Sequence, residues 1–169
     1  NNLPKHIAVI MDGNGRWAKT HGKPRVFGHK NGVLAVREVT EAAAELGIKY
    51  LTLYAFSTEN WSRPSFEVNA LLVETVKREL RTLNKNNIRL QAIGDLSKLP
   101  YMTRKTLLEG IEQTKNNTRM TLILALNYSS RWEIVEAVKK IATQVNDGLL
   151  SVDNITSDVF SEYLTTKDI

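Results

Sequence analysis

The chain has 169 residues and contains no cysteine, which excludes disulfide bonds and any zinc site built from thiolates. It has no apolar run of the roughly 18 residues that a membrane span needs. The residues before the first apolar segment do not have the pattern of a signal peptide, so we expect none. Together these absences suit a reducing compartment and lead us to expect a cytoplasmic protein.

The common phosphate-binding and hydrolase motifs are absent as well. The sequence contains neither GxxxxGK[ST] nor GxGxxG, so it lacks the P-loop and the all-glycine form of the dinucleotide-binding fingerprint. It also lacks GxSxG, the turn that carries the nucleophile of many serine hydrolases. Ordinary nucleotide binding and serine hydrolysis are therefore not indicated.

The charges that are present are unevenly distributed. Residues 1–37 hold seven Lys and Arg side chains but a single acid, Asp12, whereas the remaining residues are close to neutral. A polyanion bound near the start of the chain is therefore favoured over one spread across the surface. At 42% hydrophobic and 24% charged residues, we expect residues 1–169 to form one globular domain.

Alternating patterns predict an α/β fold with a central, mostly parallel sheet flanked by helices. Apolar runs predict strands at 6–11, 50–56, 88–94 and 120–127. Three glycines and a proline predict a loop over 20–32. A helix from about residue 30 to Gly47 is expected to bury Val33, Val36, Val39, Ala43 and Leu46. Further helices are expected at 66–85, between the third and fourth strands, at 129–145 with Trp132, Ile134, Val135, Val138, Ile141 and Ala142 buried, and from a cap at Thr156 or Ser157.

The stretch IAVIMDGNGRWAK raises the first functional hypothesis. Its apolar strand ends in a turn of Asp12, Gly13, Asn14, Gly15 and Arg16. Glycines let a backbone approach a ligand closely, and an arginine suits phosphate oxygens. An aspartate beside a phosphate favours a bridging Mg²⁺. Asp-Gly and Asn-Gly are also common in turns that have no function, so both interpretations stay open.

Two downstream groups also have ordinary structural interpretations. Arg25 and His29 are typical of a solvated loop. Trp61 beside Arg63 is typical of a partly buried ring with a stacked cation. His6 and His21 lack metal-ligand spacing and are interpreted as structural or exposed.

Four collinear segments together resemble the cis-prenyltransferases, above all the bacterial undecaprenyl diphosphate synthases. These segments are HIAVIMDGNGRWAK, GKPRVFGHKNG, LTLYAFSTENWSRP and LALNYSSRWEIVEAV. The resemblance implies condensation of farnesyl diphosphate with successive isopentenyl diphosphates to a long polyprenyl (undecaprenyl) diphosphate, the lipid carrier of cell-wall precursors. It also implies Mg²⁺, a homodimer and peripheral membrane contact through the lipid product. The DDxxD motif of trans-prenyltransferases is absent, because no two aspartates are adjacent.

The resemblance also implies roles for individual residues. Asp12 is the expected catalytic aspartate and Mg²⁺ ligand, and Asn60 is expected to help remove the proton from the condensing isopentenyl unit. The remaining expected substrate-binding residues are Gly13, Asn14, Gly15, Arg16, Trp17, Arg25 and His29, with Ser57, Thr58, Glu59, Trp61 and Arg63 in a mobile substrate loop.

The sequence departs from this family in two places. The family's arginine-rich RTxGExRxSNF stretch does not follow SEYLTTKDI, so we expect a fragment or a longer chain. EVNALLVETVKREL is a few residues shorter than its usual counterpart, through a shortened helix or missing residues.

Two alternative functions stay open: a non-catalytic fragment that binds a prenyl diphosphate, or an unrelated Mg²⁺-dependent phosphotransfer or phosphohydrolase domain. A nucleic-acid binder is disfavoured, because the basic residues surround an acidic turn.

Overall fold

A computed structural model describes residues 2–57 and 65–169, and for residues 29, 55–57 and 65–72 it describes the backbone alone. The strands are β1 (His6–Ile10), β2 (Tyr50–Ser57), β3 (Ile88–Ile93) and β4 (Met120–Tyr128). The helices are α1 (Asn14–Thr20), α2 (Arg25–Glu45), α3 (Ser65–Lys85), α4 (Tyr101–Thr114), α5 (Ser130–Asn146) and α6 (Ser157–Glu162). Short 3₁₀ turns lie at Leu96–Lys98 and Val152–Asn154.

The four described strands form one parallel sheet in the order β1-β2-β4-β3. Its two inner strands are almost continuous apolar runs, as expected for strands covered on both faces. The predicted α/β class with a parallel sheet is therefore confirmed. Because β1 and β2 are neighbours, their carboxyl ends lie at the same edge of the sheet.

The main core joins the sheet to α2, α3 and α4. Leu51, Leu90 and Leu122 contribute from three strands, and Ala44 and Leu107 contribute from two of the helices. Side chains of alternate strand residues point to opposite faces, so the next residues along β4 enter a second cluster. That cluster contains Ile93, Ile123, Ala125 and Tyr128, with Trp132 and Ile169 packed against it.

The loop predicted over 20–32 is wrong for its second half, because α2 begins at Arg25. Pro24 precedes the helix with an extended backbone, a position that a proline tolerates well. Gly28 and Gly32 lie inside the helix where α2 packs against Asn14 of α1: a Cβ at Gly28 would overlap the Asn14 carbonyl, and a Cβ at Gly32 would press on the Asn14 side chain. These glycines therefore serve helix packing and do not form a loop.

The predicted burial of α2 is correct only in part. Ala43 is buried and Val36 is packed against the core, but Val39 and Leu46 are exposed. Thr40 is buried instead, because its hydroxyl donates a hydrogen bond to the carbonyl of Val36 and needs no water. The predicted end of the helix is confirmed, since Gly47 follows it with a φ of 79°.

The predicted apolar side of α5 is also correct only in part. Ile141 is buried, whereas Ile134, Val135 and Val138 are about half exposed. The buried stripe runs instead through Glu133, Ala137 and Ile141 at a spacing of four residues. Hydrogen bonds at the Glu133 carboxylate allow an acid to face inwards, and this turns the neighbouring apolar residues outwards.

Predicted helix starts and lengths agree with the structure elsewhere. Ser129 caps α5 by accepting a hydrogen bond from the Trp132 N–H, and Thr156 caps α6 by accepting one from the Val159 N–H. The segment EVNALLVETVKREL lies within the continuous helix α3, as the predicted helix over 66–85 implies, and its shortness relative to the family stays a prediction. None of the helices in the described ranges combines the length and apolar character that crossing a membrane requires.

Candidate functional site

Asp12 and Arg16 form an ion pair across the turn between β1 and α1. Oδ1 of Asp12 accepts a hydrogen bond from the Gly13 N–H at 2.6 Å, and Oδ2 accepts one from Arg16 Nη2 at 3.0 Å. The two side chains are 77% and 80% exposed. An ion pair in such a setting is worth about 0–1 kcal/mol, so either partner can turn to a ligand at little cost.

Gly13 shapes this turn. Its φ of 88° and ψ of −10° lie in the left-handed region, where an L-residue costs about 1–2 kcal/mol. Its carbonyl accepts a hydrogen bond from the Trp17 N–H at 2.8 Å, which starts the seven-residue helix α1. The glycine is therefore needed to end the strand and begin the helix within a few residues of Asp12.

Arg25 lies beside the same turn although it belongs to the next helix. A Cβ atom on Gly15 would stand 3.1 Å from Arg25 Nε and 3.4 Å from its guanidinium carbon. The guanidinium therefore rests against the bare α-carbon of Gly15, one residue before Arg16. This contact places Arg25, from α2, beside the turn in which Arg16, from α1, pairs with Asp12.

Asn14 and Trp17 occupy the flanks of the turn. Asn14 places its carbonyl oxygen against Gly28 and its side-chain amide against Gly32, so it joins α1 to α2. Trp17 is 42% exposed and stacks on Phe27, with ring centroids 6.0 Å apart and an angle of 4° between the ring planes. Both residues thus hold the turn in place through contacts with α2.

The carboxyl end of β2 reaches the same edge of the sheet. The Met11 N–H donates a hydrogen bond to the Tyr54 carbonyl at 3.3 Å, so the strand pairing continues up to the residue before Asp12. Ser57, the last residue of β2, pairs with Tyr128 at the end of β4. The carboxyl ends of β1, β2 and β4 therefore lie side by side at this edge, whereas the polar residues that follow Ser57 lie outside the described part of the chain.

Several predicted site residues lie outside the described part of the chain. These are Thr58, Glu59, Asn60, Trp61 and Arg63, together with the side chains of His29 and Ser57. Their roles stay predictions. Within the described residues, no group of three or more His, Cys, Asp and Glu side chains is arranged to hold a metal ion.

The sequence reasoning missed Glu133, a buried acid at the start of α5. Its Oε2 accepts a hydrogen bond from the Tyr128 hydroxyl at 2.7 Å, and its Oε1 accepts from the Thr166 N–H at 3.1 Å and from the hydroxyls of Thr165 and Thr166. Burial, reinforced by this hydrogen bond and by the Glu133 charge, raises the pKa of Tyr128 well above its usual value. An acid in the first turn after a serine cap was the available signal.

Comparison with known proteins identifies the family of this fold and turn. The family model described as undecaprenyl diphosphate synthase matches residues 10–169, from the end of β1 to the last residue of the chain. The chain belongs to this family of prenyltransferases. Its members are enzymes that transfer prenyl groups, so the resemblance noted from the four sequence segments is confirmed.

Curated relatives in this family are about half identical to the chain. An isoprenyl transferase from Clostridium perfringens is 51% identical over 170 residues, which cover 99% of this chain and 67% of the relative. A ditrans,polycis-undecaprenyl-diphosphate synthase from Pasteurella multocida, named as specific for (2E,6E)-farnesyl diphosphate, is 49% identical and covers 99% and 71%. The chain thus spans about two thirds of the length of these relatives.

Solved structures show the same fold in this family. Lavandulyl diphosphate synthase from Lavandula x intermedia, in complex with dimethylallyl diphosphate, matches with a TM-score of 0.92 and 33% identity over 98% of this chain and 72% of that one. A probable undecaprenyl diphosphate synthase from Campylobacter jejuni matches with a TM-score of 0.73 and 33% identity over 97% and 70%. The predicted fold of the cis-prenyltransferases is therefore confirmed.

Proposed function

We propose that this chain is the catalytic domain of a cis-prenyltransferase that condenses farnesyl diphosphate with successive isopentenyl diphosphates to a long polyprenyl diphosphate. The observation that carries this proposal is the turn of Asp12 and Arg16, with Arg25 against Gly15, at the carboxyl edge of a parallel sheet. Ligands of open α/β sheets bind at that edge. The names of the relatives supply the substrate class.

Arg16 and Arg25 are the proposed contacts to the allylic diphosphate. Both are exposed at one turn, and their forked N–H groups suit phosphate oxygens. When the bond from carbon to the diphosphate oxygen breaks, negative charge builds up on the leaving group. Donors held in place before the reaction stabilise that charge at little further cost, which is how this turn would lower the barrier.

Asp12 is the proposed ligand of Mg²⁺. Mg²⁺ commonly binds one or two carboxylates together with substrate phosphates and water, and a single exposed carboxylate beside a diphosphate-binding turn fits that requirement. When bound, the ion would neutralise charge on the leaving diphosphate. Arg16 holds the carboxylate at the turn through the 3.0 Å ion pair and would exchange to a phosphate oxygen.

The other roles in the proposal belong to residues suggested by the family resemblance. Asn60 would help to remove the proton that the isopentenyl unit loses as the new carbon–carbon bond forms. His29 would contact the diphosphate, while Ser57, Thr58, Glu59, Trp61 and Arg63 would cover the substrate. Gly13, Asn14 and Trp17 would complete the cradle, since each stands at the described turn.

The proposal includes a homodimer in the cytoplasm that reaches the membrane through its lipid product. The half-exposed apolar side chains Ile134, Val135 and Val138 on α5 support a further contact surface on this helix. Sedimentation of the full-length protein should therefore give the mass of two copies. A Val138→Glu variant should shift it to one copy, whereas Lys140→Glu on the same helix should not.

The decisive experiment separates the proposed synthase from its two alternatives. The full-length protein is incubated with farnesyl diphosphate, labelled isopentenyl diphosphate and Mg²⁺, and label is counted in the lipid phase. Labelled polyprenyl product that requires all three components supports the proposal. Binding of farnesyl diphosphate without product identifies a non-catalytic fragment, and phosphate release from nucleotides or sugar phosphates without a prenyl acceptor identifies a phosphohydrolase.

A further inference from the structure

An exposed aromatic and basic surface lies beside the proposed diphosphate turn. We define the α1–α2 patch as Trp17, Lys23, Phe27, Lys30 and Leu34. Trp17 stacks on Phe27, and Nζ of Lys23 stands 5.9 Å from the centre of the Phe27 ring. Phe27, Lys30 and Leu34 follow one another along one face of α2 at intervals of three and four residues.

The apolar members of this patch are unusually open to solvent for their size. Phe27 is 38% exposed and Leu34 is 53% exposed, and the adjacent Val26 is 49% exposed. Separate apolar residues on a helix surface would need no explanation, but here an indole and a phenyl ring stack on each other beside Lys23, and Lys30 and Leu34 follow Phe27 along the same face of α2. Such a surface is typical of a contact site.

We propose that the α1–α2 patch docks the protein on a membrane surface that contains anionic lipids. Amphipathic rings and lysines are the side chains that settle at the boundary between lipid headgroups and acyl chains. Stable attachment of a peripheral protein takes two weak signals, an apolar one and a basic one, and this patch supplies both on one face. The charge is complementary, because residues 1–37 hold seven basic side chains and one acid.

A membrane is favoured over a nucleic acid as the partner. A nucleic acid would be bound by the cations, and aromatic rings would be expected to stand free for stacking on bases. Here the two rings stack on each other, with Trp17 also 4.5 Å from His21, so their faces are already used and their edges remain for insertion between lipids. Lysines, which act as point charges, suit headgroups that need no fixed geometry.

The location of the patch has a consequence that rests on the proposed function. Trp17 follows Arg16 in α1, so the docked face lies next to the turn proposed to hold the allylic diphosphate. A polyprenyl product is insoluble in water. A surface that holds the site at the bilayer would let the growing chain pass into lipid without crossing the solvent.

The test measures binding to vesicles and does not require catalysis. The full-length protein is sedimented with vesicles of phosphatidylcholine alone or with 30% phosphatidylglycerol, at low and high salt. We expect the protein to bind the anionic vesicles, and we expect high salt to weaken that binding. Each unit of charge near such a surface changes the partition coefficient onto the vesicle about fivefold. Lys23→Glu with Lys30→Glu changes the charge by four units, so it should lower vesicle binding at least about 100-fold.

Two matched variants make the test specific. Lys139→Glu with Lys140→Glu changes the net charge equally but on α5, and it should leave vesicle binding unchanged. Phe27→Ser keeps every charge and should weaken vesicle binding about tenfold, while leaving any binding to single-stranded DNA unaffected. Failure to bind anionic vesicles, an equal loss in the α5 variant, or no effect of Phe27→Ser would overturn the proposal.

The same variants distinguish this surface from the proposed enzyme activity. Lys23→Glu with Lys30→Glu should retain condensation when the product is solubilised by detergent and should lose it selectively on vesicles. A protein that binds anionic vesicles but makes no polyprenyl product would refute the proposed function and leave the docking surface intact. A protein that makes polyprenyl product but does not bind anionic vesicles would refute the docking surface and leave the proposed function intact.

Discussion

Gly28 of α2 faces the main-chain carbonyl of Asn14 in α1 so closely that a methyl group at Gly28 would overlap the carbonyl oxygen. Gly28→Ala should gain about 1 kcal/mol of helix propensity but lose about 1–3 kcal/mol or more to overpacking. We therefore expect a net loss in the free energy of unfolding, together with reduced activity, because α1 carries Arg16.

Gly32→Ala is the matched control for this prediction. A Cβ at Gly32 would meet the side-chain amide of Asn14, at 2.7 Å from Nδ2, and an amide can rotate away whereas a helix carbonyl cannot. In urea unfolding, the free energy of unfolding of Gly32→Ala should be within about 1 kcal/mol of that of the parent. A Gly28→Ala protein as stable as the parent would show that the close approach of α1 and α2 is not required.

Asp12→Ala should slow condensation severely and leave the fold intact. The carboxylate is 77% exposed and its ion pair with Arg16 contributes little to stability, so the melting temperature should stay within about 2 °C of the parent. Loss of a group that stabilises charge in the transition state costs about 10²–10³-fold in rate. Asp147→Ala, an exposed acid at the end of α5, should keep full activity, and full activity in Asp12→Ala would remove the proposed role.

Gly15 and Arg25 should behave as a coupled pair. Because a Cβ on Gly15 would press on Arg25 at 3.1 Å, Gly15→Ala should displace the guanidinium and raise the KM for the allylic diphosphate about tenfold. In an Arg25→Ala background, Gly15→Ala should change this KM little, because the guanidinium that it would displace is absent. Additive effects in this double-mutant cycle would show that the two residues act separately.

The strands and the turn could be predicted because their signals are local. Apolar runs identify β2 and β4, and the Asp-Gly and Asn-Gly pairs identify the turn after β1, whose role in binding phosphate stays a proposal. The start of α2 could not be predicted, because Gly28 and Gly32 resemble loop residues until the position of α1 is known. Glu133 was missed for a similar reason, since its partners include Thr165 and Thr166, more than thirty residues away.

Tyr128→Phe tests the hydrogen bond to Glu133. Removing the hydroxyl leaves one oxygen of a buried carboxylate without that donor, and hydrogen bonds to charged groups are worth about 1.5–3 kcal/mol. Above pH 10, the ordinary pKa of tyrosine, the parent should lose stability, because Tyr128 ionises in the unfolded chain but not in the folded one. Tyr128→Phe should lack this loss of stability. If the free energy of unfolding falls equally steeply with pH in both proteins above pH 10, the prediction is wrong.

Glu79 of α3 should make stability depend on pH through its ion pair with Arg37 of α2. Arg37 Nη2 and Nε donate to the two carboxylate oxygens at 2.7 and 3.1 Å, and Arg78 Nε donates at 3.0 Å. Burial raises the pKa of Glu79, but the hydrogen bonds and charges of the two arginines outweigh it, and the pKa lies below the ordinary value of 4.5. The folded state therefore binds its proton less tightly than the unfolded chain does.

The sign of the effect follows from this lowered pKa. The stabilisation is complete above pH 4.5, the unfolded value, and is lost as the pH falls from there through the lower folded value. Glu79→Gln should thus be less stable than the parent by about 1–3 kcal/mol at pH 7, and this difference should shrink towards pH 3. Glu112→Gln, whose partner Lys115 is an exposed residue directly after the end of α4, should show a small difference at every pH. Urea unfolding of the three proteins between pH 7 and pH 3 measures this difference in the free energy of unfolding. A difference between the parent and Glu79→Gln that stays constant with pH would mean that the ion pair does not stabilise the contact of α2 with α3.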